Sequence, residues 1–173
     1  AAAGAAARRP KEGGARARPT LFTLGYSGRS MGGILELLRQ HRVAGLMDVR
    51  DNPWSHRPEF ERQRLGDWCE EHSIAYWWVG NDVGGKSARD VQARVGTREG
   101  QAALDDIRYQ LDGDVRWAVL CLEKTWQECA PRCMLQEEMQ KRSVNVVHLG
   151  PECRCAVPAD TPARRQESEG APE

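Results

Sequence analysis

The chain has 173 residues, 25 of them basic and 25 acidic, with 29% charged and 40% hydrophobic. That is room for one ordinary domain and hardly two. No run approaches the roughly 18 apolar residues of a membrane span, and no apolar core of a secretory signal precedes a cleavage-like site. A soluble, intracellular protein with no membrane partner is therefore expected. The cytoplasm is the expected compartment, and an organelle stays open because the Ala- and Arg-rich start also fits a transit peptide.

The even charge total hides an asymmetry. Positions 1–18 carry Arg8, Arg9, Lys11, Arg16 and Arg18 against Glu12 alone, set among Ala and Gly. They read as a flexible basic arm that either meets phosphates or an anionic surface or stays solvated. The core is expected over residues 19–152. Residues 153–173, rich in Pro, Ala and Glu without periodic apolar positions, are expected to be disordered.

Within the core, Thr20-Leu21-Phe22-Thr23-Leu24 is a β-prone run ending in Gly25-Tyr26-Ser27-Gly28-Arg29-Ser30. Ile34, Leu35, Leu37 and Leu38 then fall on helical spacing, with Ser30 as N-cap. Val43 to Arg50 reads as a buried strand with charges at its far end, and Leu65, Trp68, Cys69 and His72 mark one face of a second helix. Ile74 to Val79 is a third strand. Leu104, Ile107 and Leu111 define a third helix and Val115 to Leu122 a fourth strand. Pro131 suits the first turn of a fourth helix with Leu135 and Met139 inward, and Val144 to Leu149 is a fifth strand. Strands alternating with helices call for parallel pairing, because a helix must return the chain each time. The expected fold is a three-layer α/β/α domain on a mainly parallel five-stranded sheet, with Asp48, Arg50, Cys121 and Glu123 at one edge.

In such a sheet the loops leaving the carboxyl ends of the strands line the ligand crevice. The second loop, Asp48 to Phe60, holds Trp54, His56 and Arg57 beyond the buried strand. Arg50 and Arg57 can form a fork for phosphate or carboxylate; alternatively, Asp48 and Arg50 only satisfy loop backbone. Pro53 and Pro58 stiffen the loop. In the fourth loop, Cys129 stands just before a helix start, where the dipole, Lys124 and Arg132 would lower its thiol pKa. It is the candidate nucleophile or redox centre, Glu123 the candidate acid/base or a partner of Arg50 or Lys124, and Cys121 a small packing residue.

The third loop, Asn81 to Ser87, offers Gly84 and Gly85 for close backbone approach to a ligand, and Lys86 for charge. It lacks P-loop spacing, so a lid or a surface turn is the alternative. Trp54 and Trp126 can stack on a base or ring, whereas Trp68, Trp77, Trp78 and Trp117 belong to elements and read as core. The six cysteines, without a secretory signal, read as thiols, ligands or a redox pair, and none is in CxxC spacing. Cys129 with Cys133, and Cys153 with Cys155 near His148, leave a zinc site open, but no metal and no cofactor is expected.

The ordered motifs resemble a family of uncharacterised α/β proteins, the domain of unknown function 488. The resemblance rests on Thr23-Leu24-Gly25-Tyr26-Ser27-Gly28-Arg29-Ser30, on Leu46-Met47-Asp48-Val49-Arg50 with Pro53, Ser55 and Phe60, on Gly84-Gly85, and on Cys121-Leu122-Glu123-Lys124 with Cys129. It implies a compact Rossmann-like α/β domain and carries over no agreed activity. The chain departs from the family's pattern at Tyr26, where His is usual, and at Cys129-Ala130-Pro131, where Cys-His-Arg is common and Arg132 follows one place later. No histidine therefore stands next to Cys129. The Asp-Val-Arg strand end is also similar to rhodanese-like domains, without their cysteine-led anion loop.

Two functional expectations follow, and whether the protein is an enzyme stays open between them. In the first, it acts on or binds a phosphate-bearing or other anionic small molecule, a nucleotide or a nucleic-acid end. Tyr26, Ser27, Arg29, Asp48, Arg50, Arg57, Lys86 and Arg132 would contact that ligand, with Glu123 and Cys129 in catalytic roles. In the second, it is a non-catalytic nucleic-acid-binding or scaffold module using the basic arm.

Overall fold

The computed structural model describes residues 17–150. The strands are β1 (Thr20–Gly25), β2 (Gly45–Asp48), β3 (Ala75–Trp78), β4 (Trp117–Cys121) and β5 (Asn145–Leu149). They form one five-stranded sheet in the order β3-β2-β4-β1-β5, and every pairing is parallel. Insertion of β4 between β1 and β2 departs from the 3-2-1-4-5 order of dinucleotide-binding doubly wound sheets. The expected arm and tail, with Cys153 and Cys155, lie outside the described residues apart from Ala17 and Arg18.

The helices are α1 (Met31–Gln40), α2 (Arg62–Glu71), α3 (Gly80–Val83), α4 (Ala88–Val95), α5 (Arg98–Gln110) and α6 (Ala130–Lys141). Alternation along each strand decides which helices cover which face. Phe22, Leu24, Leu46 and Leu120 pack with Ile34 and Leu38 of α1 and Leu65 and Cys69 of α2. Leu21, Met47, Val49, Val119 and Cys121 pack with Val91 of α4, Leu104 and Ile107 of α5, and Leu135 and Met139 of α6. The result is a sheet with a helical layer on each face.

Caps fix where the helices begin. The Ser30 hydroxyl accepts from the Gly33 N–H at the start of α1, and Thr97 does the same from Gly100 at the start of α5. Ser87 and Asp90 form a reciprocal capping box that starts α4. The sequence predicts a loop at Asn81 to Ser87 and no helix between it and the one marked by Leu104, whereas the structure forms α3 and α4 over this stretch. Only Val91 and Val95 repeat one turn apart in an otherwise polar run, so the apolar period there is a single turn, and the capping box was the stronger signal.

Two glycines are dictated by close approach. A Cβ at Gly45 would enter the ring of Trp117, its cross-strand neighbour. A Cβ at Gly25 would enter the carbonyl of Glu123, with Arg132 Nη1 only 3.2 Å away. Gly32 in α1 has nothing within 4 Å of a built Cβ. We expect Gly25→Ala to cost about 1–3 kcal/mol, through forced displacement of the loop after β4. Gly32→Ala should add up to about 1 kcal/mol from helix propensity and a stiffer unfolded chain. Urea midpoints of the two variants check both signs.

Candidate functional site

The carboxyl edge of the sheet carries the residues singled out above, with Gly25 opposite Cys121 and Asp48 opposite Leu120. Period-2 alternation then separates them onto two faces. Asp48 and Arg50 point with Leu46 toward α1 and α2, whereas Cys121 points with Val119 toward α6.

On the first face the buried Asp48 carboxylate accepts from Arg50 Nε at 2.8 Å, Arg50 Nη2 at 2.6 Å and the Tyr76 hydroxyl at 2.7 Å. Arg50 Nη1 donates to the Phe60 carbonyl at 2.7 Å, and Trp78 Nε1 donates to the Arg50 carbonyl at 2.9 Å. Burial alone would lower the Arg50 pKa, but the hydrogen bonds and charge of Asp48 overcome it and raise the value. Burial, reinforced by the Asp48 charge, pushes the Tyr76 phenol up and keeps it a donor.

Arg57 donates through Nε and Nη2 to Glu59 and through Nη1 to the Arg29 carbonyl at 2.6 Å, and its guanidinium lies 4.4 Å from the centre of the Phe60 ring. Tyr26 stacks on the same Phe60 ring at 4.1 Å between centroids, and its hydroxyl donates to Ser55. The expected Arg50–Arg57 fork is thus spent on protein groups at positions two residues away, Asp48 and Glu59. Its work is to pin the second loop under the first.

On the second face lies Arg132, one turn into α6 and 1% exposed. No carboxylate pairs with it among the described residues. Nε donates to the Thr23 hydroxyl at 3.0 Å, and Nη1 donates to the Glu123 carbonyl at 3.1 Å and approaches Cys121 Sγ at 3.7 Å. With its oxygen accepting from Arg132, the Thr23 hydroxyl is free to donate to His148 Nδ1 at 2.7 Å, which leaves Nε2–H to donate to Gln136 Oε1 at 2.6 Å. The His148 ring stacks on Trp126 at 4.4 Å. Burial first, and the Arg132 charge second, lower the His148 pKa to about 4, so the ring is neutral. Both its nitrogens are engaged, so neither is left for the metal role open to it in the sequence.

Cys129 is the N-cap of α6, as its position before Pro131 implied. The direction of its pKa shift is opposite to the one expected. The thiol is fully buried, and its hydrogen bond with Cys121, followed by burial, pushes its pKa up. A helix dipole cannot outweigh removal from water beside a second sulfur. Cys121 is buried too, and Sγ of Cys121, Sγ of Cys129 and a Glu123 carboxylate oxygen lie within 4.8 Å of one another. Neither Arg50 nor Lys124 pairs with Glu123 among the described residues. Cys133, half-buried, donates to the Trp126 carbonyl at 3.2 Å and stands apart from this trio.

The remaining expectations fall on the rim. Gly84 and Gly85 approach the protein itself, where added Cβ atoms would meet the Gly80 and Val49 carbonyls and Val91 respectively. They sit where α3 meets α4, and Lys86 beyond them is exposed. Ser27 is exposed, Trp54 is 55% exposed, and Trp126 is half-buried against His148. Arg29 donates from Nε to the Gly25 carbonyl at 3.1 Å, while its Nη2 is buried with no hydrogen-bond partner among the described residues. Sequence reasoning missed Tyr76, Thr23 and Gln136. Thr23 was legible as a polar residue at an inward position of β1, and Gln136 as the residue one turn after Arg132.

The family model described as domain of unknown function DUF488 matches residues 30–94. The chain is similar to that family over α1 to α4, a segment that includes Asp48, Arg50, Arg57 and Tyr76 but neither Arg132 nor the cysteines at the end of β4 and the start of α6. No curated protein and no solved structure matches the chain.

The neutral His148 gives a pH dependence of known sign. A folded pKa of about 4 against the ordinary value of 6.5 means that the unfolded chain binds the proton more readily between these limits. The stability due to His148 is fully present above pH 6.5 and is lost as pH falls toward 4. We expect His148→Gln to flatten this part of the stability profile relative to the parent, measured by urea unfolding at stepped pH.

Proposed function

We propose that the protein binds a phosphate-bearing or other anionic ligand, such as a nucleotide or a nucleic-acid end, where β1 runs into α1. The observation that carries this reading is the buried Nη2 of Arg29, which has no hydrogen-bond partner among the described residues. Leaving a charged donor unsatisfied costs on the order of 1–3 kcal/mol or more, and an anion brought within reach offsets that cost. Nη2 lies beside Gly150, just past β5, where an added Cβ would come within 3.7 Å of it.

The neighbouring backbone suits the same ligand class. The first turn of α1 contains no acid, its Gly32 and Gly33 are exposed, and the Ser30 side chain occupies only the Gly33 N–H. The remaining first-turn N–H groups have no intrahelical acceptor. Arg132, behind Gly25, adds positive charge without contact. Arg50 and Arg57 support the loops in this reading, and half-buried Glu123 is the acid/base candidate should the ligand be transformed. Cys129, fully buried, is given no nucleophilic part in this reading.

A nucleic-acid module is the second reading, favoured by exposed Trp54 in edge contact with His56 at 4.4 Å and by exposed Arg62 and Arg64 on α2. Titration of the full chain with pyrophosphate, a nucleoside triphosphate and a single-stranded oligonucleotide separates the two. We expect Arg29→Ala to weaken binding of the small anions on the order of tenfold or more, with Arg39→Ala, at the far end of α1, near parental. Unchanged affinity in Arg29→Ala sinks the anion site. Oligonucleotide binding that depends on residues 1–18 and on Trp54 but not on Arg29 would carry the second reading instead.

A further inference from the structure

We propose that Cys121, Glu123 and Cys129 form a binding site for a divalent metal ion of borderline softness, in the first place Zn2+. The proposal does not rest on the anion site at Arg29. Its basis is the convergence of three donors from three places: the last residue of β4, the loop beyond it, and the N-cap of α6. Their ligand atoms all lie within 4.8 Å of one another. Two thiolates and a carboxylate are a donor set that Zn2+ takes at about 2.0–2.3 Å, and three protein donors leave a fourth position for solvent or a ligand oxygen.

Charge compensation is the second support. Arg132 is buried without a carboxylate among the described residues, and its Nη1 faces Cys121 Sγ at 3.7 Å. Two thiolates, the Glu123 carboxylate, a divalent cation and this guanidinium together carry no net charge. Exchange of the two thiol protons for the divalent ion leaves that balance unchanged, so the metal-bound state adds no net charge beside the buried guanidinium. Arg132 also donates to the Glu123 carbonyl, so the residue that balances the charge holds the loop carrying the third donor.

Binding replaces two S–H bonds with two metal–sulfur bonds and releases two protons to solvent; no electron is transferred. The site differs from the sets that spacing alone left open. Cys133 is turned to the Trp126 carbonyl and His148 is held at both nitrogens, so neither completes it.

The test is titration of the reduced, metal-stripped full chain with Zn2+ against a chromophoric chelator, and with Co2+ read through its thiolate charge-transfer absorption. We expect one tightly bound equivalent, a charge-transfer band, and proton release on binding. Cys121→Ser and Cys129→Ser should each weaken Zn2+ on the order of 100-fold, and Arg132→Lys roughly tenfold, whereas Cys133→Ser and a Cys153→Ser/Cys155→Ser double variant should stay near parental. Glu123→Gln, at a half-buried position, covers the case in which a core cysteine variant does not fold, and should weaken Zn2+ roughly tenfold or more. Absence of a bound equivalent, binding that survives loss of Cys121 or Cys129, or unchanged affinity in Glu123→Gln overturns the site. So does a Cys121–Cys129 disulfide whose reduction restores no metal binding.

Discussion

A guanidinium sealed from water has to be solvated by the protein, and the placement of Arg132 organises the carboxyl edge of the sheet. Its Nε takes the hydroxyl of Thr23 and its Nη1 takes the carbonyl of Glu123. The first bond turns Thr23 toward His148 as a donor; the second draws the loop after β4 so close to β1 that residue 25 must be glycine. Tyr26 and Ser27 N–H then pair with the Cys121 and Leu122 carbonyls, so the first and fourth loops leave the sheet as one joined layer. Loss of the cation would strand a hydroxyl, a carbonyl and an imidazole at once, and such groups are costly when buried without partners.

Arg50 meets the same requirement by the opposite route. Its charge is neutralised at contact by Asp48, whose carboxylate also accepts from the Arg50 backbone N–H and the Tyr76 hydroxyl. That cluster is complete in itself, which makes it a rigid base under the second loop and a poor candidate for ligand exchange. Two buried arginines on opposite faces of one sheet edge thus do different work, one closing a structural ion pair and the other holding a field of unpaired positive charge beside two sulfurs.

Much of the fold was legible because it depends on local period. The β-prone run Thr20 to Leu24, the apolar run Val115 to Leu122 and the Ser30 cap all lie in adjacent residues, and β1, β4 and α1 formed there, with β4 narrowed to Trp117–Cys121. The site was less legible because its properties come from contacts far apart in sequence. That Cys129 begins a helix could be read from Pro131, but that Cys121 sits against it, and that both are dry, depends on β4 lying in the middle of the sheet. The occupation of Arg50 and Arg57 was readable in principle from Asp48 and Glu59 two residues away. The unpartnered nitrogen of Arg29 was not, since it depends on which groups the folded edge leaves out of reach.

The central position of β4 also governs the order in which this chain can acquire structure. β1, the first strand made, pairs only with β4 and β5, the last two, so each of its ladder contacts spans nearly a hundred residues or more: Phe22 meets Ala118 on one side and Val147 on the other. During synthesis β1 has no neighbour until the chain has passed Trp117, and the β2–β3 pair stands alone as a two-stranded ribbon with an apolar open edge. Loops of that length are entropically expensive to close and favour slow, concerted folding. A fragment ending before β4, such as residues 30–94, would contain a single strand pair with the β2 edge that β4 otherwise covers left open, and so would invite association with other chains before it could form a domain.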